Sequence, residues 1–531
     1  MKKEYDVIII GSGHNGLTCG CYLARAGINV LILERRDNIG GGACTEEVTL
    51  PGFKHNIHSI GHTWMWAGPV YKELKLEENG CKYIFPQEQY GMVFLDGKSL
   101  MLYQDIEKTV KSIERFSPKD AKSYKKMCET YLPLKDLMMA SFYSPPLPLS
   151  QTFGLFEGTP EGREMIYIMQ SSPKHIVSEL FEHDRVKTWM YLMIMQAGTS
   201  HDLYGSGMLV ILLFPGFHTT PYGLCMGGSR NLAVALAKVF RENGGDIVTK
   251  THVKRVVVEN GGATGVELEK GEVIKAKKAV VSNSSVISTF TQLVDEKEIP
   301  EEFSGKVKNF KCIEVTPITP HLALNEPPRY HTDNPDVNKA FSVGWGLEDT
   351  KEVDEHFFEM LQGIPPGKTG GVAFMPTVQD PTQAPSGKHT AFVYQFTCYD
   401  LKNGGAGKWD EIKEEVADRI IEKWRQYAPN LTPENILGRF VYSPLDIERE
   451  MISMPRGDFG HGSISLDQMG CFRPFPGWAN YRMPIDRFYL CGGSTHPSGG
   501  VTAGPGYNAA GVICEDLGVK KWWKPVIIGK K

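Results

Sequence analysis

Gly11-Ser12-Gly13-His14-Asn15-Gly16 follows the apolar run 7–10 at once and precedes the helix-forming stretch 15–25. A G-x-G-x-x-G between strand and helix is a dinucleotide fingerprint. Gly11 permits the tight turn, Gly13 lets a pyrophosphate approach the backbone, and Gly16 allows close helix-to-strand packing. Ser12 and Asn15 occupy the same loop, where the helix N-terminus offers N–H donors and partial positive charge to an anion. Glu34 ends the next strand, 18 residues after Gly16. An acid there accepts hydrogen bonds from ribose hydroxyls and repels a 2′-phosphate. FAD and NAD share these features.

A second chemical segment stands near the far end. The apolar run 488–491 leads into Gly492-Gly493-Ser494-Thr495-His496-Pro497 and then into a helical stretch from about Thr502. His55, His58 and His62 have the i, i+3, i+7 spacing of metal ligands on one helix face. Their flanks, FKHNIHSIGHTWMW, favour strand and loop, and no acid stands by to orient a ligand, so no metal site is read. Nor is there a C-x-x-C, a pair of catalytic carboxylates or a nucleophile triad near the motifs.

Strand, helix and strand over 7–33 form one unit. Residues 252–283 alternate in short β-like runs broken by Gly-rich turns, as in antiparallel strands. Apolar spacing predicts helices in 105–140 and 408–428. Two Pro-rich stretches, 144–149 and 325–334, read as connections between lobes. The simplest architecture is α/β: one nucleotide domain assembled from distant segments, with a second lobe inserted between them.

Composition excludes several classes. The 531 residues carry 58 basic and 62 acidic side chains, a net charge of -4, which supports no role in binding nucleic acid. Gly and Pro make up about 17% of the chain against an average near 12%, so tight turns are many. Eleven scattered cysteines argue for reduced thiols and a cytosolic setting. The start MKKEYDVIIIGSG has too short an apolar stretch for a signal peptide. The longest apolar runs, 189–195 and 208–214, fall far below the roughly 20 residues of a membrane span. Attachment to a membrane surface stays open, and so does homo- or hetero-oligomerisation. The Met- and aromatic-rich tracts 138–143, 189–195 and 208–217 read as core or as the walls of a lipophilic tunnel.

Arg35-Arg36-Asp37-Asn38-Ile39-Gly40-Gly41-Gly42-Ala43 follows Glu34 directly. At this point the chain resembles the phytoene desaturase and carotenoid ketolase-like branch of the FAD amine oxidase superfamily, as do Ser465-Leu466-Asp467-Gln468-Met469 and Arg473-Pro474. The resemblance runs over nearly the whole length. It implies a glutathione-reductase-type FAD domain from 1–85, 218–300 and 465–531, and an α+β substrate domain from 86–217 and 301–464, the latter with helices that face a membrane. It also implies that Glu34, Arg35, Arg36 and Gly40 to Ala43 contact FAD, that the backbone near Val253 meets the adenine, and that Gly492, Gly493 and the helix from Thr502 meet the flavin. His62 and His496 fall beside the flavin ring by the same resemblance.

The function implied is hydride transfer between flavin N5 and an apolar terpenoid or carotenoid-like hydrocarbon, by desaturation, oxygenation, saturation or isomerisation. Two rivals stand. A non-catalytic prenyl-lipid escort of this fold has no reason to keep the segment 489–510. An amine oxidase needs an aromatic pair facing the flavin, for which Trp478, Tyr481 and Tyr489 are the candidates. With one fingerprint only, no separate NAD(P)H site is expected.

Overall fold

The computed structural model describes residues 2–365, 367–368 and 370–528. Its first sheet is organised around β1 (Glu4–Ile10), whose last four residues are all buried. α1 (His14–Arg25) returns the chain to β2 (Val30–Leu33), which lies parallel to β1, with Ile8 opposite Leu31. On the other side of β1 runs the long strand β3 (Val273–Ser282), also parallel, with Ile8 opposite Val280. The start of β3 pairs antiparallel with Gly262–Leu268, and its end pairs parallel with β4 (Phe488–Leu490). Asp246–Val248 and Val253–Glu259 complete seven strands. Parallel strands buried on both faces read as continuous apolar runs, which is why VIII and VLIL carry no alternation.

One face of this sheet carries α1, the helix Arg230–Glu242 and α2 (Gly504–Asp516). Gly20 makes the contact close: a Cβ there would lie 2.9 Å from Ile32 Cδ1 and 3.0 Å from Phe240 Cε2. The chain near its end is docked by aromatics, with Tyr22 stacked on Trp522 at 5.1 Å and meeting Trp523 edge-on at 4.8 Å.

The second sheet also has seven strands, in the order 436–442, 316–324, 389–397, 371–374, 342–345, 88–93, 99–103. All neighbours are antiparallel except Ser342–Trp345 and Glu88–Val93. Helices cover it, among them Ile106–Glu114 and Pro118–Tyr131 from the predicted stretch 105–140, and Trp409–Arg425 from 408–428, while Lys135–Phe142 of the first stretch packs Met139 and Phe142 on the core of the first sheet. Residues 189–195 are buried throughout, and Trp189 stacks on Tyr90 at 6.1 Å. That tract is core packing.

The Pro-rich stretches do not connect lobes. Residues 325–334 join Thr316–Leu324 to the strands that follow in the same sheet, and they are pinned there by Arg329 N donating to Asn430 Oδ1 at 2.8 Å. Residues 144–149 join two neighbouring helices, Lys135–Phe142 and Leu149–Phe156. Proline ends an element wherever one must end, within a lobe as readily as between lobes. No helix among the described residues is long and apolar enough to cross a membrane.

Candidate functional site

The fingerprint residues sit at the C-terminal edge of the first sheet, where parallel α/β sheets place their ligands. Gly11 has φ +97°, a conformation that disfavours any side chain, and its N–H bonds Leu33 O at 2.8 Å. A Cβ on Gly16 would lie 2.4 Å from Gly11 O, so this glycine is required for the turn itself. A Cβ on Gly13 would instead meet the Asn283 side-chain amide at 2.8 Å, on the open side of the loop. The second glycine group lies flat against the first. Gly40 N donates to Ser12 O at 3.0 Å, and a Cβ on Gly41, φ +57°, would be 3.0 Å from Gly13 Cα.

Glu34 is nearly buried and braces this loop: one carboxylate oxygen accepts from Ser12 N at 2.9 Å and Ser12 Oγ at 2.7 Å, the other from Arg36 N at 2.9 Å. Arg36 turns away to Glu46 at 2.7 Å, and Arg35 donates to Glu450 O at 2.6 Å. The two arginines therefore anchor neighbouring protein segments. Glu34 also anchors 248–253, since Thr251 N donates to Glu34 O at 2.8 Å. A pocket opens between these pieces, walled by Gly11, Gly13, Glu34 and Val253. Arg35 and Arg36 line it as well, and among its further walls Asn283–Ser284 and 450–453 were not read from sequence. Asn283 follows the end of β3 as Glu34 follows β2, so the rule that parallel strands present ligands at their C-terminal ends could have found it.

The closing segment completes the site. Cys491 N donates to Ser282 O at 2.9 Å, which continues the pairing of β4 with β3. A Cβ on Gly492 would lie 2.8 Å from Ser284 O, so the two loops touch backbone to backbone. Beyond Thr502, whose Oγ1 accepts from Gly504 N at 3.1 Å, α2 starts against α1: a Cβ on Gly506 would fall 2.1 Å from Asn15 O. Two helix N-termini thus converge on one space.

His62 and His496 occupy different settings. His62 is fully buried with Nδ1 on Tyr83 OH at 2.8 Å, and Nε2 has no partner. Burial, with His14 close by, pushes its pKa down to about 3. His496 is tied through Nε2 to Ser141 O at 2.7 Å, and burial lowers its pKa to about 4. Both rings are neutral at pH 7. His58 and His55 are likewise lowered, to about 3 and about 4, by burial. No group of three His, Cys, Asp or Glu among the described residues could hold a metal ion. Trp478, Tyr481 and Tyr489 are dispersed: Trp478 meets Phe303 edge-on at 5.3 Å, Tyr481 donates to His496 O at 2.9 Å, and Tyr489 donates to Asp516 at 2.8 Å.

The donor set fits a dinucleotide on chemical grounds. Two glycine turns laid against each other, bare of side chains on the pocket side, and two helix starts suit a pyrophosphate. A near-buried carboxylate at the end of β2 suits a ribose.

Comparison with known proteins gives the class. A family model described as an NAD(P)-binding Rossmann-like domain matches residues 9–75. A component of the limonene dehydrogenase of Castellaniella defragrans is 33% identical, with 98% of this chain and 96% of that protein covered. The neurosporene-forming phytoene desaturase of Cereibacter sphaeroides is 23% identical over 93% of this chain and 91% of that one. A putrescine oxidase structure with bound putrescine superposes with a TM-score of 0.61 at 15% identity, covering 97% and 99%, a likeness of fold alone. Fold, site and relatives define an FAD-dependent oxidoreductase. The chain belongs to the phytoene desaturase and carotenoid ketolase-like family of FAD enzymes.

Proposed function

We propose that this enzyme moves a hydride between a carbon of an apolar, unsaturated terpenoid hydrocarbon and flavin N5. The observation that carries the reading is a string of aromatic rings beside the cofactor site. From Phe217 it runs to Tyr222 at 4.5 Å, Phe341 at 5.1 Å, Phe374 at 5.6 Å and Tyr394 at 5.5 Å, and it ends at Phe459, 6.4 Å further on. The string passes beneath the 58–62 loop: Tyr394 OH donates to His58 O, and a Cβ on Gly61 would lie 2.4 Å from Tyr222. Phe217, Phe341 and Phe374 belong to the buried core, and Tyr222, Tyr394 and Phe459 are the partly exposed members through which the string would hold hydrocarbon by stacking and favour the positive charge that builds on carbon as a hydride departs. The relative named for limonene supports the substrate class.

FAD, when bound, supplies hydride acceptance and return at N5. The protein's part is to exclude water and orient the hydrocarbon. His62 and His496, whose burial makes them poor bases at pH 7, line the site. Support for the two-domain division 1–85, 218–300 and 465–531 against 86–217 and 301–464 comes from the sheets, whose strands fall separately within those segments. Contact with a lipid surface is supported by the helix Leu149–Phe156, which buries none of its residues and leaves Leu149 and Leu155 each 42% exposed. Flotation with liposomes checks this, and protein that stays at the bottom of the gradient with every lipid tried counts against it.

The deciding experiment is anaerobic flavin reduction by a cyclic monoterpene and by a longer polyene, each deuterated at the allylic carbon. A primary isotope effect is expected. His62→Ala and His496→Ala should slow reduction by about 10 to 100-fold, whereas losing an obligatory base costs about 100 to 10,000-fold. Losses at the upper end, with an inflection in the pH profile, would make one of these histidines the base and overturn the lining role. Flavin that stays oxidised with every hydrocarbon while an amine bleaches it would sink the substrate class.

A further inference from the structure

The family-like residues 465–469 and Arg473 have so far no role. Arg473 is completely buried, and its guanidinium donates to backbone carbonyls: Ser463 O at 2.9 Å, Gln468 O at 3.2 Å, His461 O at 2.8 Å and Gly493 O at 2.9 Å. Taking a guanidinium out of water costs several kcal/mol, so its hydrogen bonds must be many to offset that. Gln468 steadies the same frame, its side chain accepting from Lys311 N at 2.7 Å and donating to Lys311 O at 2.9 Å. What the frame holds is the turn 460–463, pressed onto the closing flavin segment. A Cβ on Gly499 would lie 2.3 Å from Gly460 O, and one on Gly493 would lie 3.1 Å from both His461 Cβ and Cδ2. His461 itself adopts φ +53°, and its Nδ1 is buried with no partner. Burial, with His14 and Arg473 nearby, lowers its pKa to about 4, so it is a neutral imidazole.

We propose that His461 is a cofactor-side residue that sets the electronic environment of the flavin, and that Arg473 is the positioning residue that holds it against Gly493. This goes beyond the proposed substrate and does not depend on it.

The test uses resting holoenzyme without substrate and reads the flavin's visible spectrum and midpoint potential. His461→Ala should alter the relative affinity for reduced and oxidised flavin at least tenfold, which for a two-electron couple is about 30 mV. His461→Gln should restore part of the change. Arg473→Lys should shift the potential in the same direction, and the double variant should shift it no further than His461→Ala alone, because the arginine acts through the histidine. An unchanged spectrum and potential in His461→Ala overturns the proposal, as do fully additive shifts. If Arg473→Lys does not accumulate as folded protein, Gln468→Leu takes its place in the cycle with the same two outcomes. A potential that shifts as expected in an enzyme that bleaches with no hydrocarbon would count against the substrate reading alone.

Discussion

The fingerprint glycines differ in what they do, and their substitutions should differ accordingly. Gly16 faces backbone: an added methyl must displace Gly11 O from 2.4 Å, and a carbonyl in a strand end cannot move aside. Gly13 faces the end of the Asn283 side chain, which can rotate away. Gly16→Ala should therefore lower the yield of folded protein, whereas Gly13→Ala should fold and still bind FAD. Gly13→Val should fold yet lose FAD, because its branched methyls enter the pyrophosphate's space. Absorbance at the flavin band together with thermal melting checks all three, and full flavin occupancy in Gly13→Val would refute the assignment. These roles were legible in the sequence, since a glycine turn between strand and helix is a local object. His461 and Asn283 were not, because each acquires meaning from a neighbour distant in the chain.

At the scale of elements, the tract 138–149 reads from sequence as core or tunnel wall up to 143 and as a connection between lobes beyond it. Its first half is a bolt. Tyr143 is buried and its one hydroxyl hydrogen is shared between Thr502 O at 2.8 Å and Trp64 O at 3.0 Å, while Asn508 of α2 donates to Phe142 O at 3.1 Å. The helix Lys135–Phe142 and Tyr143 thus fasten the 55–66 loop to the start of α2, with 138–142 half-buried and 145, 148 and 149 exposed. Tyr143→Phe leaves Thr502 O without its donor, while Trp64 O keeps Gly68 N, at a cost of about 1–3 kcal/mol. We expect a melting temperature lower by a few degrees and FAD affinity weaker by about tenfold, measured by flavin fluorescence on dilution. Unchanged affinity would show that α2 is held without this contact. The strand Thr316–Leu324 makes the opposite point: Pro317 and Pro320 argue against a central strand, yet the strand is buried throughout between two partners. Tertiary burial overrides the local preference there, so residues 301–464 gave little reading.

For the whole molecule, the many buried histidines set the response to acid. His14, His55, His461 and His496 have pKa values lowered to about 4, and His58 and His62 to about 3, all chiefly by burial. In the unfolded chain the same imidazoles titrate near 6.5. Between those values the unfolded state binds more protons than the folded one, so stability is complete above about pH 6.5 and falls as the pH is lowered toward 4. Each such histidine contributes up to about 1.4 kcal/mol per pH unit. Melting temperature should drop steeply from pH 7 to pH 5, and His58→Phe should flatten that slope. A flat profile would mean that these rings are solvated in the folded protein.

Sequence by itself determined the dinucleotide turn, the acid after β2, and the return of the chain in a strand, glycine loop and helix near its end, while the class of enzyme came from the resemblance carried by 35–43, 465–469 and 473–474. These are short-range patterns, in which backbone conformation and strand-to-helix spacing are fixed by residues a few positions apart. Only the tertiary structure decided which side chains share the site. It added Asn283 and 450–453 to the pocket walls beside Arg35 and Arg36, gave those two arginines protein partners as well, tied His496 to Ser141, and laid His461 on Gly493 under a buried arginine. Such meetings depend on how two sheets and their helices close on one another, and burial, which keeps His62, His461 and His496 neutral, exists only once they have closed.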